Sequence, residues 1–325
     1  MRYLVFGVGA VGGLVAARLM RGGAEVAGIA RGAQLAALTA RGLTLQTPDG
    51  DEHVRFPVYG AASDFHLGPD DAILLCTKTQ DTLGALEQLR GAGADRQPVV
   101  CLQNGVENER LALRLFPNVY GVCVMTPAVF LEPGIIRCYA RPRLAILDVG
   151  RYPQGRDRVV EGLAAAFEEA GFSSVADAAI MKQKYGKLLT NLGNVVQATL
   201  GAHPRVGEFR DALRREGEAV LEAAGIEAGD AGLSSPRRGD MTLAPVKGEP
   251  HPGGSSWQSL ARGTGTIETD YLNGEIVLLG RTAGVPTPVN ECFVRVAHEL
   301  VRTGARPGSV DPARIDRELG RAHTG

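Results

Sequence analysis

The run MRYLVFGVGAVGGLVAARL constrains the fold more than any other part of the chain. An apolar stretch, Tyr3–Phe6, leads into Gly7-x-Gly9-x-x-Gly12, with Ala10 and Val11 between the glycines, and an apolar helical pattern then continues to Met20. Gly22 and Gly23 end that pattern, and a second strand-like stretch covers Glu25–Ala30. Two parses compete. An export signal needs a charged start and an unbroken apolar core of about 7 to 15 residues; Arg2, Ala16 and Ala17 fit it loosely. The glycines interrupt that core, and glycine is a poor helix former. In the strand–turn–helix parse each glycine of the Gly7-x-Gly9-x-x-Gly12 spacing has a reason. Gly7 permits the tight turn, Gly9 lets backbone amides approach a pyrophosphate, and Gly12 lets the helix pack on the strand. The positive end of the helix then faces the phosphates. A strand–turn–helix–strand unit of about 30 residues is the setting in which this spacing is specific for a dinucleotide.

The end of the second strand bears on which dinucleotide. An acidic residue there would bond a ribose 2′-hydroxyl. This chain has Ala27-Gly28-Ile29-Ala30-Arg31, with no acid and a guanidinium able to fork onto a 2′-phosphate. NADP(H) is therefore expected over NAD(H); the alternative for Arg31 is a solvated loop arginine.

A chain of 325 residues implies about two domains. With 35 basic against 36 acidic residues, no broad field points to nucleic acid or to an anionic membrane, so a small-molecule partner is expected. The five cysteines are odd in number and form no CxxC, which reads as reduced thiols in a cytoplasmic protein. No HExxH or GxSxG occurs, which leaves metal and serine hydrolysis without a motif; no metal is expected.

Strand-like runs at Leu43–Thr47, His53–Val58, Ala72–Cys76, Pro98–Leu102, Val119–Val124 and Leu144–Leu147 interleave with helical patterns up to about residue 175. From Ala179 strands disappear, and helical patterns cover about Ala179–Gly201, Val206–Ala224, Gly265–Ala283 and Pro288–Thr303. The fold class is α/β: a doubly wound, Rossmann-like sheet over 1–175, followed by an all-helical domain over 176–325. LSSPRRGDMTLAPVKGEPHPGGSS reads as a long loop, either covering a cleft or merely connecting.

Polar residues stand out against this background. CTKTQD sets Thr77, Lys78 and Gln80 beyond one buried strand, and CLQNGVEN sets Gln103 and Asn104 beyond another, at carboxyl ends where ligands bind in open α/β sheets. A plain turn is the alternative for each. In QKYGKLLTNLGNVVQATLG, Lys187 and Asn191 lie four apart on one helix face. The lysine either snorkels to solvent or faces a cleft. Further on, Ser255, Ser256 and Glu268 follow, and Glu268 interrupts an apolar helical pattern, where a carboxylate wants a cation such as Lys187.

Taken in order, GVGAVG, CTKTQD, LQNGVEN, KYGKLLTN and SSWQSLARGTGTIETDYLNG…GVPTPVN resemble the ketopantoate reductase family over about residues 1–300. The resemblance implies a Rossmann domain that binds NADPH and a helical domain that takes a 2-oxo acid, reducing ketopantoate to pantoate. It implies Lys187 as the catalytic lysine and Glu268 as its acidic partner, with Ser256 binding the substrate carboxylate and Asn191 in the substrate site. Lys78 and Asn104 match residues near nicotinamide and substrate, with Gln80 beside them at the cofactor, and Arg31 matches the 2′-phosphate partner. A homodimer is also expected. The chain departs from the family pattern in three places. Val195 stands where a second asparagine is common; Asn194 precedes it, rotated about 100° round a helix, and is taken as a substrate residue. Tyr185 replaces a tryptophan, and the loop before Ser255 is long. A missing asparagine alters selectivity. A related dehydrogenase acting on another oxo acid or an imine therefore stays open, as does a catalytically silent NADP(H) sensor.

Overall fold

Seven apolar strands of the first half form one sheet in the computed structural model, which describes residues 1–232, 234–263 and 265–320. They are β1 (Arg2–Phe6), β2 (Val26–Ile29), β3 (Val58–Tyr59), β4 (Asp71–Leu75), β5 (Val99–Cys101), β6 (Val119–Met125) and β7 (Ile146–Arg151). Their order across the sheet is β7-β6-β5-β4-β1-β2-β3. All neighbours run parallel except β7, which is antiparallel to β6. Strands 3-2-1-4-5-6 are in the doubly wound order.

Both faces of this sheet are covered, and the strand period of two shows how. In β1, Tyr3 and Val5 enter one core, with Leu14, Val15 and Leu19 of the Ala10–Arg21 helix and Leu163 and Phe167 of the Arg158–Glu169 helix. Leu4 and Phe6 enter the opposite core, with Leu86 and Leu89 of the Thr82–Gly91 helix. The same alternation in β4 sends Ala72 and Leu74 one way and Ile73 and Leu75 the other. Strands buried on both faces read as continuous apolar runs, which is why the sequence exposes them.

Three expectations need correction. Leu43–Thr47 does not join the main sheet; it lies in a four-stranded sheet with Gly50–Val54, Ile135–Cys138 and Ala128–Glu132, and its Leu43 and Leu45 pack on the first core. The single strand expected over His53–Val58 is two, Gly50–Val54 and Val58–Tyr59, which lie in different sheets. A strand also occurs after residue 179: Met241–Leu243 pairs antiparallel with Ala140–Pro142.

The chain divides into two units, Met1–Lys184 with Asp230–His251, and Tyr185–Gly229 with Pro252–Gly325. The boundary expected from sequence lies at 175/176, and composition gives no reason to return the Pro/Gly-rich segment to the first unit. That segment is tied down there. Arg237 donates to both carboxylate oxygens of Asp148, at 3.0 and 2.8 Å, and to Ser173 Oγ at 3.1 Å. The second unit is helical among its described residues, with Phe209 and Phe293 edge-to-face at 5.5 Å in its interior. Its first helical pattern breaks at Leu192-Gly193 into Ile180–Asn191 and Asn194–Leu200. Asn273 donates to the Leu192 carbonyl at 3.2 Å and so satisfies the break.

Candidate active site

The glycine turn follows β1 directly. Gly7 has φ +101°, and a Cβ there would meet the Cys76–Thr77 peptide at 3.0 Å. A Cβ on Gly12 would collide with the Gly7 carbonyl and press Cys76 Cβ at 3.0 Å, so this glycine sets how closely helix and strand approach. Gly9 is different: a Cβ there would meet no atom within 4 Å. Protein packing does not ask for glycine at Gly9, whereas close approach of a phosphate to the first helical N–H groups does. Ala10 and Val11, half-buried, open the helix beside it. Gln34 fixes the turn from behind, donating to the Val8 carbonyl at 2.8 Å.

Arg31 stands two residues past β2 with its side chain 85% exposed and Nη2 3.3 Å from Asp81 Oδ1. Asp81 closes the short helical turn Thr79–Asp81 that Lys78 begins. The 2′-phosphate partner expected from sequence is thus beside the loop that carries Lys78 and Gln80. Both amide atoms of Gln80 are buried without a hydrogen-bond partner among the described residues. An orphaned amide on a strand-end loop fits a polar ligand there.

The two strand-end loops are clamped together by Gln103 with two side chains that no sequence signal marks, Thr82 and Asn108. Gln103 Nε2 donates to the Thr77 carbonyl at 2.9 Å and to Thr82 Oγ1 at 2.8 Å. Thr82 Oγ1 donates in turn to Asn108 Oδ1 at 2.8 Å, and Asn108 Nδ2 donates to the Asn104 carbonyl at 3.0 Å. Lys78 and Asn104 therefore sit on loops of fixed mutual position, at the carboxyl edge of β4 and β5. Behind them is a buried ion pair, Lys184 Nζ to Glu109 Oε1 at 2.7 Å, with side chains 2% and 0% exposed. Burial pushes the Glu109 carboxyl up, and the Lys184 ammonium beside it pulls part of the way back. Nothing in the sequence marks these two charges as buried: both stand among polar neighbours, in VENER and MKQKYG.

In the helical unit, Lys187 is half-buried and Asn191 buried on the Ile180–Asn191 helix. Asn194 begins the next helix, so its angular relation to Lys187 is not that of one continuous helix. Its Nδ2 is 3.5 Å from Ser255 Oγ. Gln197 Oε1 accepts from the Gly254 N–H at 3.0 Å. Asn194 thereby meets the start of the Ser255–Ala261 helix, whose second residue is the buried Ser256. Val195 is 1% exposed and packs in the interior. Glu268 does not lie inside a long helix; it opens the short turn Glu268–Tyr271, half-buried. GVPTPVN is structural here: Glu216 accepts from the Val289 and Asn290 N–H groups at 2.8 and 2.9 Å, capping the Pro288–Thr303 helix.

Comparison with known proteins finds two family models along the chain. The family described as "Ketopantoate reductase PanE/ApbA" matches residues 3–150, and its C-terminal counterpart matches 178–301. A 2-dehydropantoate 2-reductase of Mesorhizobium japonicum is 30% identical over 92% of this chain and 98% of its own. One of Pyrococcus horikoshii is 27% identical over 89% of this chain and 94% of its own. A crystal structure of a PanE/ApbA family ketopantoate reductase from Ralstonia eutropha is 29% identical, covers 98% of this chain and 100% of its own, and has a TM-score of 0.75. D-Mandelate dehydrogenase, solved with NADH and anilino(oxo)acetate, has a TM-score of 0.79 at 21% identity, covering 94% of this chain and 99% of its own; that is a likeness of fold.

Proposed function

The chain belongs to the ketopantoate reductase family of NADPH-dependent oxidoreductases, and on that premise we propose that it reduces a 2-oxo acid, ketopantoate (2-dehydropantoate) first among them, to the 2-hydroxy acid. The observation that carries this reading is the clamped pair of loops bearing Lys78 and Asn104, on the same sheet edge as the glycine turn. Gly7, Gly9, Ala10, Val11 and Gly12 would hold the pyrophosphate, Arg31 the 2′-phosphate, and Lys78, Gln80 and Asn104 the nicotinamide end. When bound, NADPH supplies a hydride for the ketone carbon. Lys187 holds a proton at Nζ, hydrogen-bonds the ketone oxygen, and gives up that proton as alkoxide charge develops. Glu268 orients Lys187, while Ser256, Asn191 and Asn194 bind the carboxylate and neighbouring oxygens of the substrate. A cytoplasmic homodimer belongs to the same reading.

Val195 favours a second reading within the class. An apolar side chain packed in the interior offers a substrate hydroxyl nothing, so an oxo acid other than ketopantoate becomes the preferred substrate. The test is NADPH oxidation across a panel of 2-oxo acids with ketopantoate included. Turnover with ketopantoate supports the first reading, and rapid turnover of a different acid with ketopantoate ignored supports the second. No oxidation above background with any oxo acid, despite NADPH binding, would leave a silent cofactor-binding protein.

A further inference from the structure

The Lys184–Glu109 pair is not part of the chemistry set out above, yet it is the most deeply buried pair of charges among the described ion pairs. Its surroundings are made to hold it. Gly121 of β6 has no side chain where the pair packs: a Cβ there would stand 3.2 Å from Glu109 Oε1 and 3.4 Å from Lys184 Cδ. Lys184 Nζ spends its other two protons on backbone, donating to the Gln103 carbonyl at 2.8 Å and the Val122 carbonyl at 3.3 Å. Those carbonyls belong to the segment just past β5 and to its neighbour β6. The next carbonyl along the first segment, that of Asn104, is the one held by Asn108. The peptide groups on both sides of Asn104 are thereby fixed, one by a cation and one by an amide.

A buried ion pair is weak grounds for stability, because desolvation offsets most of its attraction, and apolar pairs of similar volume often replace it without loss. Its retention here calls for another reason, and the geometry points to one: Lys184, held in place by Glu109, is a positioning residue that fixes the Gln103–Asn104 peptide. Asn104 then meets cofactor or substrate on a loop already set, without an ordering cost at binding. The inference rests on the reading above that Asn104 touches the reacting ligands.

The test replaces both charges together, as Lys184→Met with Glu109→Leu, leaving no buried charge alone. The expected double variant melts close to the parent and still binds NADPH through the glycine turn and Arg31. Backbone amide exchange over residues 102–108 rises about tenfold, as loss of one charge-assisted hydrogen bond implies, while exchange in β1 and β2 does not change. Turnover at saturating NADPH falls about tenfold. Lys184→Gln, in which Glu109 can take up a proton and go neutral, carries the same readouts where the double variant fails to fold. Unchanged exchange over 102–108, or faster exchange with parental turnover, would overturn the assignment. Should the parent reduce no 2-oxo acid, the functional reading fails, and amide exchange alone decides whether Lys184 fixes the loop.

Discussion

Gly9 and Gly12 are the same letter three positions apart, and the structure gives them opposite reasons. Gly12 has no room for a methyl group, whereas Gly9 has room and φ −96°, a conformation open to any residue. Gly12→Ala should therefore lower the melting temperature sharply or abolish soluble protein. Gly9→Ala should melt like the parent while losing about tenfold or more in NADPH affinity, because the methyl group enters the phosphate's space; equal effects of the two changes on stability and binding would refute this division. Arg31 makes a similar split. Its exposed contact with Asp81 contributes little to stability, so Arg31→Ala should leave folding intact, raise the KM for NADPH, and leave that for NADH unmoved. The packing role of Gly12 was legible in the sequence, because close approach of helix and strand acts through a single residue at fixed spacing. Lys184, Glu109, Thr82 and Asn108 were not, since only the folded chain says which polar side chains are shut away from water.

At the scale of elements, the parallel strands were legible because burial on both faces writes an apolar run. The helix break at Leu192-Gly193 was not, because the group that satisfies it, the Asn273 amide on the Leu192 carbonyl, comes from 81 residues away. The attachment of the Pro/Gly-rich segment was hidden for a related reason. Its composition forbids a helix but says nothing of Arg237, which sits on the nearly buried Asp148 and ties the strand Met241–Leu243 to the first unit. Asp148 holds the Arg237 guanidinium above its usual range, as expected of an ion that gains a partner on folding. Arg237→Met strands that carboxylate, so we expect a loss of about 1–3 kcal/mol in urea unfolding and protease cleavage confined at first to 230–251. Cleavage elsewhere, or parental stability, would show that the segment is not held by this pair.

For the molecule as a whole, acid sensitivity should gather in the first unit. Burial pushes the Asp71 carboxyl up, but two bonds from Arg2, at 2.8 and 2.6 Å, and the Gly68 N–H bring it below its ordinary value. Asp157 follows the same balance: burial raises it, and the Val160 N–H and Arg151 lower it further. A carboxylate depressed on folding contributes stability that is present above its unfolded pKa, about 3.9, and is lost as pH falls through the folded value. Asp71→Asn should thus destabilise near neutral pH, with the gap to the parent closing below about pH 4; a gap independent of pH would exclude the ionic contribution. The fold class and two-part plan were legible from alternation of strands and helices. The substrate was not, since it turns on whether a side chain such as Val195 reaches a ligand or the interior. If a 2-oxo acid is reduced here with Lys187 as the proton donor, single-turnover NADPH oxidation by the parent and by Lys187→Ala will differ. Loss of the Lys187 ammonium should lower that rate by roughly 10² to 10⁴ with NADPH affinity unchanged; an unaltered rate would exclude Lys187 as the donor.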